Sequence, residues 1–196
     1  MNRIVSNWFF LLSGLFFGLY FTACTPDRNQ NTKELAQEMN DRKIKRVTDA
    51  QLTTTVDEWG KSLVQTARKA LTTELQKNTG DTARCSVGNL PVIQKLAKKY
   101  AVTIDLLSAK DTANPVLNTK EQELLAAYFY NAQNNLEQND NIQKLSDTLF
   151  VYNAPVAPDD LICKTCSDQA TPPFVVWRVV FKKREVIRRI DPKKLQ

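Results

Sequence analysis

Phe174-Val175-Val176-Trp177-Arg178-Val179-Val180-Phe181 is the run of sequence on which the fold turns. Every residue in it except Arg178 is β-branched or aromatic, the composition that suits a pleated, buried surface. Side chains alternate along a strand, so Val175, Trp177, Val179 and Phe181 share one face, and only Arg178 interrupts the other. A strand apolar on both sides belongs in the centre of a sheet. Thr148–Ala154, bounded by Pro155 and Pro158, predicts a second strand, and Val102–Leu107 a third. After Phe181, Lys182 to Glu185 reads as a charged turn, and Glu185–Ile190 as an edge strand whose arginines discourage further pairing.

Upstream the period changes. Leu52, Val56, Trp59, Leu63, Ala67, Leu71 and Leu75 recur every three or four residues, which predicts an amphipathic helix over Asp49–Gln76. Asn78-Thr79-Gly80-Asp81 ends it, and Cys85–Asn89 reads as a turn. Pro91 fits the first turn of a second helix, where its missing donor is not needed; Val92, Ile93, Leu96, Ala97 and Tyr100 form its apolar face. Ser108 to Pro115 is a polar loop. Asn118 with Glu121 forms a helix-capping pattern ahead of a stripe of Leu124, Leu125, Tyr128, Phe129, Ala132 and Leu136. Helices and strands in this order predict an α+β domain over residues 48–196, an antiparallel sheet flanked by helices with a long first helix.

The N-terminus is of another kind. Arg3 is the only charged side chain before Asp27, and the apolar run from Trp8 ends at Phe21-Thr22-Ala23-Cys24. A short basic start, an apolar centre and small residues at a cut site have the layout of a secretory signal. The ending resembles a bacterial lipobox, with Phe21 where Leu is usual. Residues 1–23 are therefore expected to be a lipoprotein signal peptide and Cys24 the lipidated first residue of an envelope protein. That places the domain outside the cytoplasm, periplasmic or surface-facing, and tethered to a membrane. The other reading of the same run is an uncleaved membrane helix. Residues 24–47, rich in Asn, Gln and charge, are expected to form a flexible tether.

Composition narrows the chemistry. The chain of 196 residues has no His, which excludes a Ser-His-Asp or Cys-His pair, imidazole-ligated zinc and a histidine-ligated haem. No paired catalytic acid and base is evident, so a binding or sensing protein is expected and not an enzyme. With Cys24 acylated, Cys85, Cys163 and Cys166 remain in an oxidising compartment, where an odd number of thiols cannot all pair within one molecule. One disulfide with the third thiol buried or free is the plain expectation. The alternatives are a redox-active Cys163-x-x-Cys166 and zinc on three thiolates with Asp159, Asp160 or Asp168.

In its order of elements and motifs the chain between Val56 and Asp191 resembles the PAS-like c-type haem sensor family. The carriers are the long first helix ending near Cys85-Ser86, a strand entering a loop with Ser108 and Asn114-Pro115, a charged helix start, and a strand leading to Cys163-Lys164-Thr165-Cys166. The family motif there is Cys-x-x-Cys-His. The resemblance implies Cys163 and Cys166 as haem-attachment thiols, Cys85 as the opposite axial ligand, and close approach of Cys85 to the late pair. Ser167 stands where the His would be, and Ser is a poor ligand for haem iron. A relative that keeps the fold without haem c is therefore expected. Its PAS cavity would take a small ligand or its surface an envelope protein partner, with Phe129, Tyr130, Phe150 and Tyr152 as candidate cavity residues that would otherwise be core. A thiol-redox or haem electron-transfer protein is the alternative.

Between Arg178 and Lys194 the sequence has eight Lys or Arg and two acids. Such a segment suits anionic lipid head groups or an acidic partner, or is simply a solvated face. Nucleic acid is not expected as a partner, because the chain is read as exported and its basic residues are not interleaved with exposed aromatics.

Overall fold

The computed structural model describes residues 32–42, 47–77 and 82–191. The signal peptide read over residues 1–23 and the lipidation expected at Cys24 lie outside the described residues. Two compact units divide at Lys43/Ile44. In the first, helix α1 (Thr32–Arg42) occupies part of the stretch read as a flexible tether, with Leu35 and Met39 four residues apart and both exposed. Among the described residues no helix is long and apolar enough to cross a membrane.

The second unit, Ile44–Gln196, is α+β. Its elements in order are α2 (Asp49–Lys77), α3 (Pro91–Tyr100), β1 (Val102–Ser108), α4 (Thr119–Gln133), β2 (Asn141–Lys144), β3 (Leu149–Pro155), α5 (Leu161–Cys166), β4 (Val175–Lys182) and α6 (Lys183–Arg189). The strands form one antiparallel sheet in the order β1-β4-β3-β2. The central position expected of Phe174–Phe181 is the one β4 holds.

Both faces of β4 are covered, by cores of unequal size. Val175, Trp177, Val179 and Phe181 join Ile104, Phe150 and Tyr152 against the buried stripe Leu52, Val56, Leu63, Ala67 and Leu71 of α2. On the other face Val176 and Leu107 meet Leu117 with Leu125, Tyr128 and Ala132 of α4, and Phe174. Arg178 sits on that second face, directly across from Asp105. It is joined to Asp105 (2.8 Å) and to Glu121 (2.7 Å), with 15% of its side chain exposed. Burial opposes the guanidinium's charge, but the two carboxylates more than offset it and hold its pKa above the usual value.

Gly60 lies in the middle of α2, where a glycine costs helix stability. The Tyr152 ring is the reason. A Cβ at position 60 would stand 2.6 Å from Cδ1 and 2.7 Å from Cδ2 of that ring, and nearer still to Cγ. Tyr152 is buried, and its hydroxyl donates to Asp140. The helix therefore rests on the sheet at a distance only glycine permits.

Three expectations are corrected. Glu185–Ile190 is not an edge strand but the body of α6: Val186 and Ile190 are buried four residues apart, and Glu185 pairs with Arg188 and Arg189 at helical spacing. The edge beyond β3 is instead the polar Asn141–Lys144. The stripe that continued to Leu136 stops at Gln133, leaving Leu136 exposed. Cys163 and Cys166 stand on a short helix, capped by Asp160 whose Oδ1 accepts from the Ile162 amide at 2.8 Å, where no helix was expected.

Candidate functional site

Four segments far apart in sequence converge at the end of β1 and the start of β4. The first is the pair of short 3₁₀ turns Thr82–Cys85 and Val87–Asn89 between α2 and α3. The second is the 3₁₀ turn Ala109–Ala113 after β1. Cys166 to Asp168, at the end of α5, is the third. Arg178 of β4 with Asp105 of β1 is the fourth. Together they line a cavity of about 470 Å³, open to solvent on one side.

The disulfide Cys85–Cys166 forms one wall. The cap that starts α5 also docks it, because Asp160 pairs with Arg68 of α2. One turn before Cys166, Cys163 is fully buried in the larger core as a free thiol. Burial pushes that thiol up to about 11, against the lowering effect of a hydrogen bond with the Val175 backbone. A neutral, enclosed thiol is a poor nucleophile.

A polar network forms the facing wall. The Ser108 amide donates to Asp111 Oδ2 (2.9 Å), and its hydroxyl donates to Asp168 Oδ2 (2.6 Å). Asn114 Nδ2 donates to Asp111 Oδ1 (3.0 Å), and Lys110 Nζ lies 2.8 Å from Asp168 Oδ2. Asp168 adopts a left-handed backbone (φ 51°), which aims its carboxylate back at β1. The Lys110 ammonium, and then the Ser108 hydroxyl, hold the Asp168 carboxyl below the usual carboxylate range. Folding stability from this link is thus fully present above the unfolded value of about 3.9 and is lost as pH falls through the lower folded value. Asp168→Asn should lower stability at neutral pH by about 1 kcal/mol or less, since the pair is well exposed. In thermal unfolding followed against pH, the gap between variant and parent should close below about pH 3.9.

Cys85, Ser108, Asn114 and Cys166 all line this cavity, whereas Cys163 does not. The aromatic candidates are elsewhere: Phe150 and Tyr152 are in the larger core, Phe129 packs tilted against Phe174 with ring centres 5.5 Å apart in the smaller one, and Tyr130 is exposed. Asp105, Lys110 and Asp111 are site residues the sequence reading passed over; Asp168 was read only as a zinc candidate and Arg178 only as the interruption of a strand face. Two signals were there to find: a Ser108-x-x-Asp111 capping pattern after a strand, and one cation in an otherwise apolar central strand.

The arrangement does not fit covalently held haem. Thioether attachment needs two free thiols facing one space, and here Cys166 is taken by Cys85 while Cys163 faces the core. Ser167, in place of the His, is itself buried. Among the described residues no three His, Cys, Asp or Glu side chains are grouped to hold a metal ion, which includes Asp159, Asp160 and Asp168 with the thiols. Compared with family models, with curated proteins and with solved structures, the chain shows no significant match to any.

Proposed function

We propose that this chain is an envelope lipoprotein, anchored through Cys24, whose PAS-like domain binds a small polar ligand in the cavity beside the Cys85–Cys166 disulfide. The observation that carries the reading is convergence: residues from four separate segments, cross-linked and hydrogen-bonded, border one open cavity of about 470 Å³. That volume is in the range of small-molecule sites. Paired cations and carboxylates on its walls favour a ligand that is itself polar. The thiol-redox alternative has less support, because Cys163 is buried with a raised pKa and the disulfide skips it.

Exported protein should be colourless, carry acyl chains on Cys24, and weigh two mass units less than its fully reduced form. A Soret band with the mass of one haem would overturn the reading. Thermal unfolding should then be measured with amino acids, dipeptides and small carboxylates. A compound that raises the melting temperature of the parent but not of Asp168→Asn or Lys110→Ala supports the site. A stabilisation unchanged in both variants places the ligand elsewhere.

A further inference from the structure

The opposite end of the sheet holds a second feature. Where β4 runs into α6, a surface groove of about 600 Å³ has Leu149 and Ile187 as its floor and Lys182, Lys183 and Arg184 along its rim. Lys182 and Arg184 are exposed and have no anionic partner among the described residues. Lys183 is 3.5 Å from Asp49, which also meets Lys144 at 3.3 Å; the groove's own acid, Asp147, is 3.6 Å from the same Lys144. Four cations thus stand against two carboxylates, over an apolar floor.

Asp49 is also the first residue of α2, so the chain coming from the N-terminus enters the domain at this pole. The ligand cavity begins at the other end of β4, where Val175 lies across from Ser108. An eight-residue strand puts roughly 25 Å between the two ends. Helix α2, at 29 residues, runs from the basic pole toward the disulfide over about 43 Å.

We infer that the groove rimmed by Lys182, Lys183 and Arg184 rests on anionic phospholipid head groups of the membrane that holds the anchor. Charge complementarity selects that occupant. Cations over apolar floor match a surface where phosphates lie above acyl chains, and a tether arriving at the same pole keeps the groove turned toward that surface. The cavity then faces away from the bilayer, open to what diffuses in the envelope. The direction of docking rests on the lipoprotein reading; the lipid affinity does not.

Among the described residues, all members of both cores lie between Val47 and Ile190, and the disulfide lies within them, so residues 44–196 serve as an anchor-free test piece. This piece should co-sediment with vesicles of phosphatidylcholine mixed with phosphatidylglycerol and not with vesicles of phosphatidylcholine alone, and added salt should release it. Lys182→Glu with Arg184→Glu should weaken the partitioning about tenfold or more, given that each basic residue near an anionic surface contributes severalfold. Lys120→Glu with Lys164→Glu makes the same change in net charge on α4 and α5 and should leave most of the binding. Equal binding to both vesicle types overturns the inference, as does equal weakening by both pairs. Binding to neither vesicle also overturns it and leaves an acidic protein as the partner for this face. Absence of acyl chains on Cys24 would defeat the anchor reading without altering any of these outcomes.

Discussion

Removing the Cys85–Cys166 cross-link should cost the domain about 4–5 kcal/mol. The two residues are 81 apart, and in the chain-entropy account a loop of that length removes that much conformational freedom from the unfolded state. Few domains have much more than about 5–15 kcal/mol in total, so loss of the bond takes a large share of the stability. The measurement is denaturant unfolding of the parent, of Cys85→Ala and of the Cys85→Ala/Cys166→Ala pair. The pair belongs in the set because a lone Cys166→Ala leaves Cys85 free to join Cys163, one helical turn away on α5. Parent protein in reductant should unfold with the midpoint of the pair. Cys163→Ala keeps the cross-link and trims one buried sulfur, which should cost about 1 kcal/mol. If Cys163→Ala falls as far as Cys85→Ala, the native pairing is Cys85 with Cys163 and the disulfide wall of the cavity is wrongly assigned.

Why Cys85 meets Cys166 and not Cys163 shows what a sequence can and cannot reveal. One capped turn of helix settles it, turning Cys163 into the core and Cys166 toward the end of α2. Three cysteines leave every pairing open until that turn exists, and Asp160, whose cap starts it, was read only as a zinc candidate. By contrast, β4 and the stripe of α2 were legible because burial on a known period depends on nothing outside the segment. So was the cap of α4, where Asn118 and Glu121 reach each other's backbone across three residues. The segment Glu185–Ile190 misled because Val186, Ile187 and Ile190 are β-branched, and a short segment is decided by tertiary packing over propensity. The site was least legible of all. Its walls come from four segments, and the Ser108–Asp168 hydrogen bond joins residues 60 apart.

Gly60 has the same character: a single glycine inside a helical pattern signals close approach without naming what approaches. Gly60→Ala should therefore destabilise the domain although alanine is the better helix former by about 1 kcal/mol. Its methyl would overlap the Tyr152 ring near the ring's attachment point, which cannot swing aside as a chain end would. Tyr152 is held by burial, by its hydrogen bond to Asp140 and by its place beside Val179 on β3 and β4, so the relief must come from α2 moving off the sheet. That movement would loosen Leu63 and Val56, one turn to either side, from the larger core. Overpacking of this kind costs about 1–3 kcal/mol, with the upper end expected where backbone must shift, so after the propensity gain a net loss of about 2 kcal/mol is expected. A double-mutant cycle with Tyr152→Ala isolates the cause. With Tyr152→Ala no atom beyond Cβ remains to meet the new methyl, so adding Gly60→Ala to Tyr152→Ala should cost at least about 1 kcal/mol less than adding it to the parent. If the two changes are additive, the ring is not what confines Gly60. In that case α2 sits farther from β3 than described, and so does the Arg68–Asp160 pair that carries α5 and its disulfide to the cavity wall.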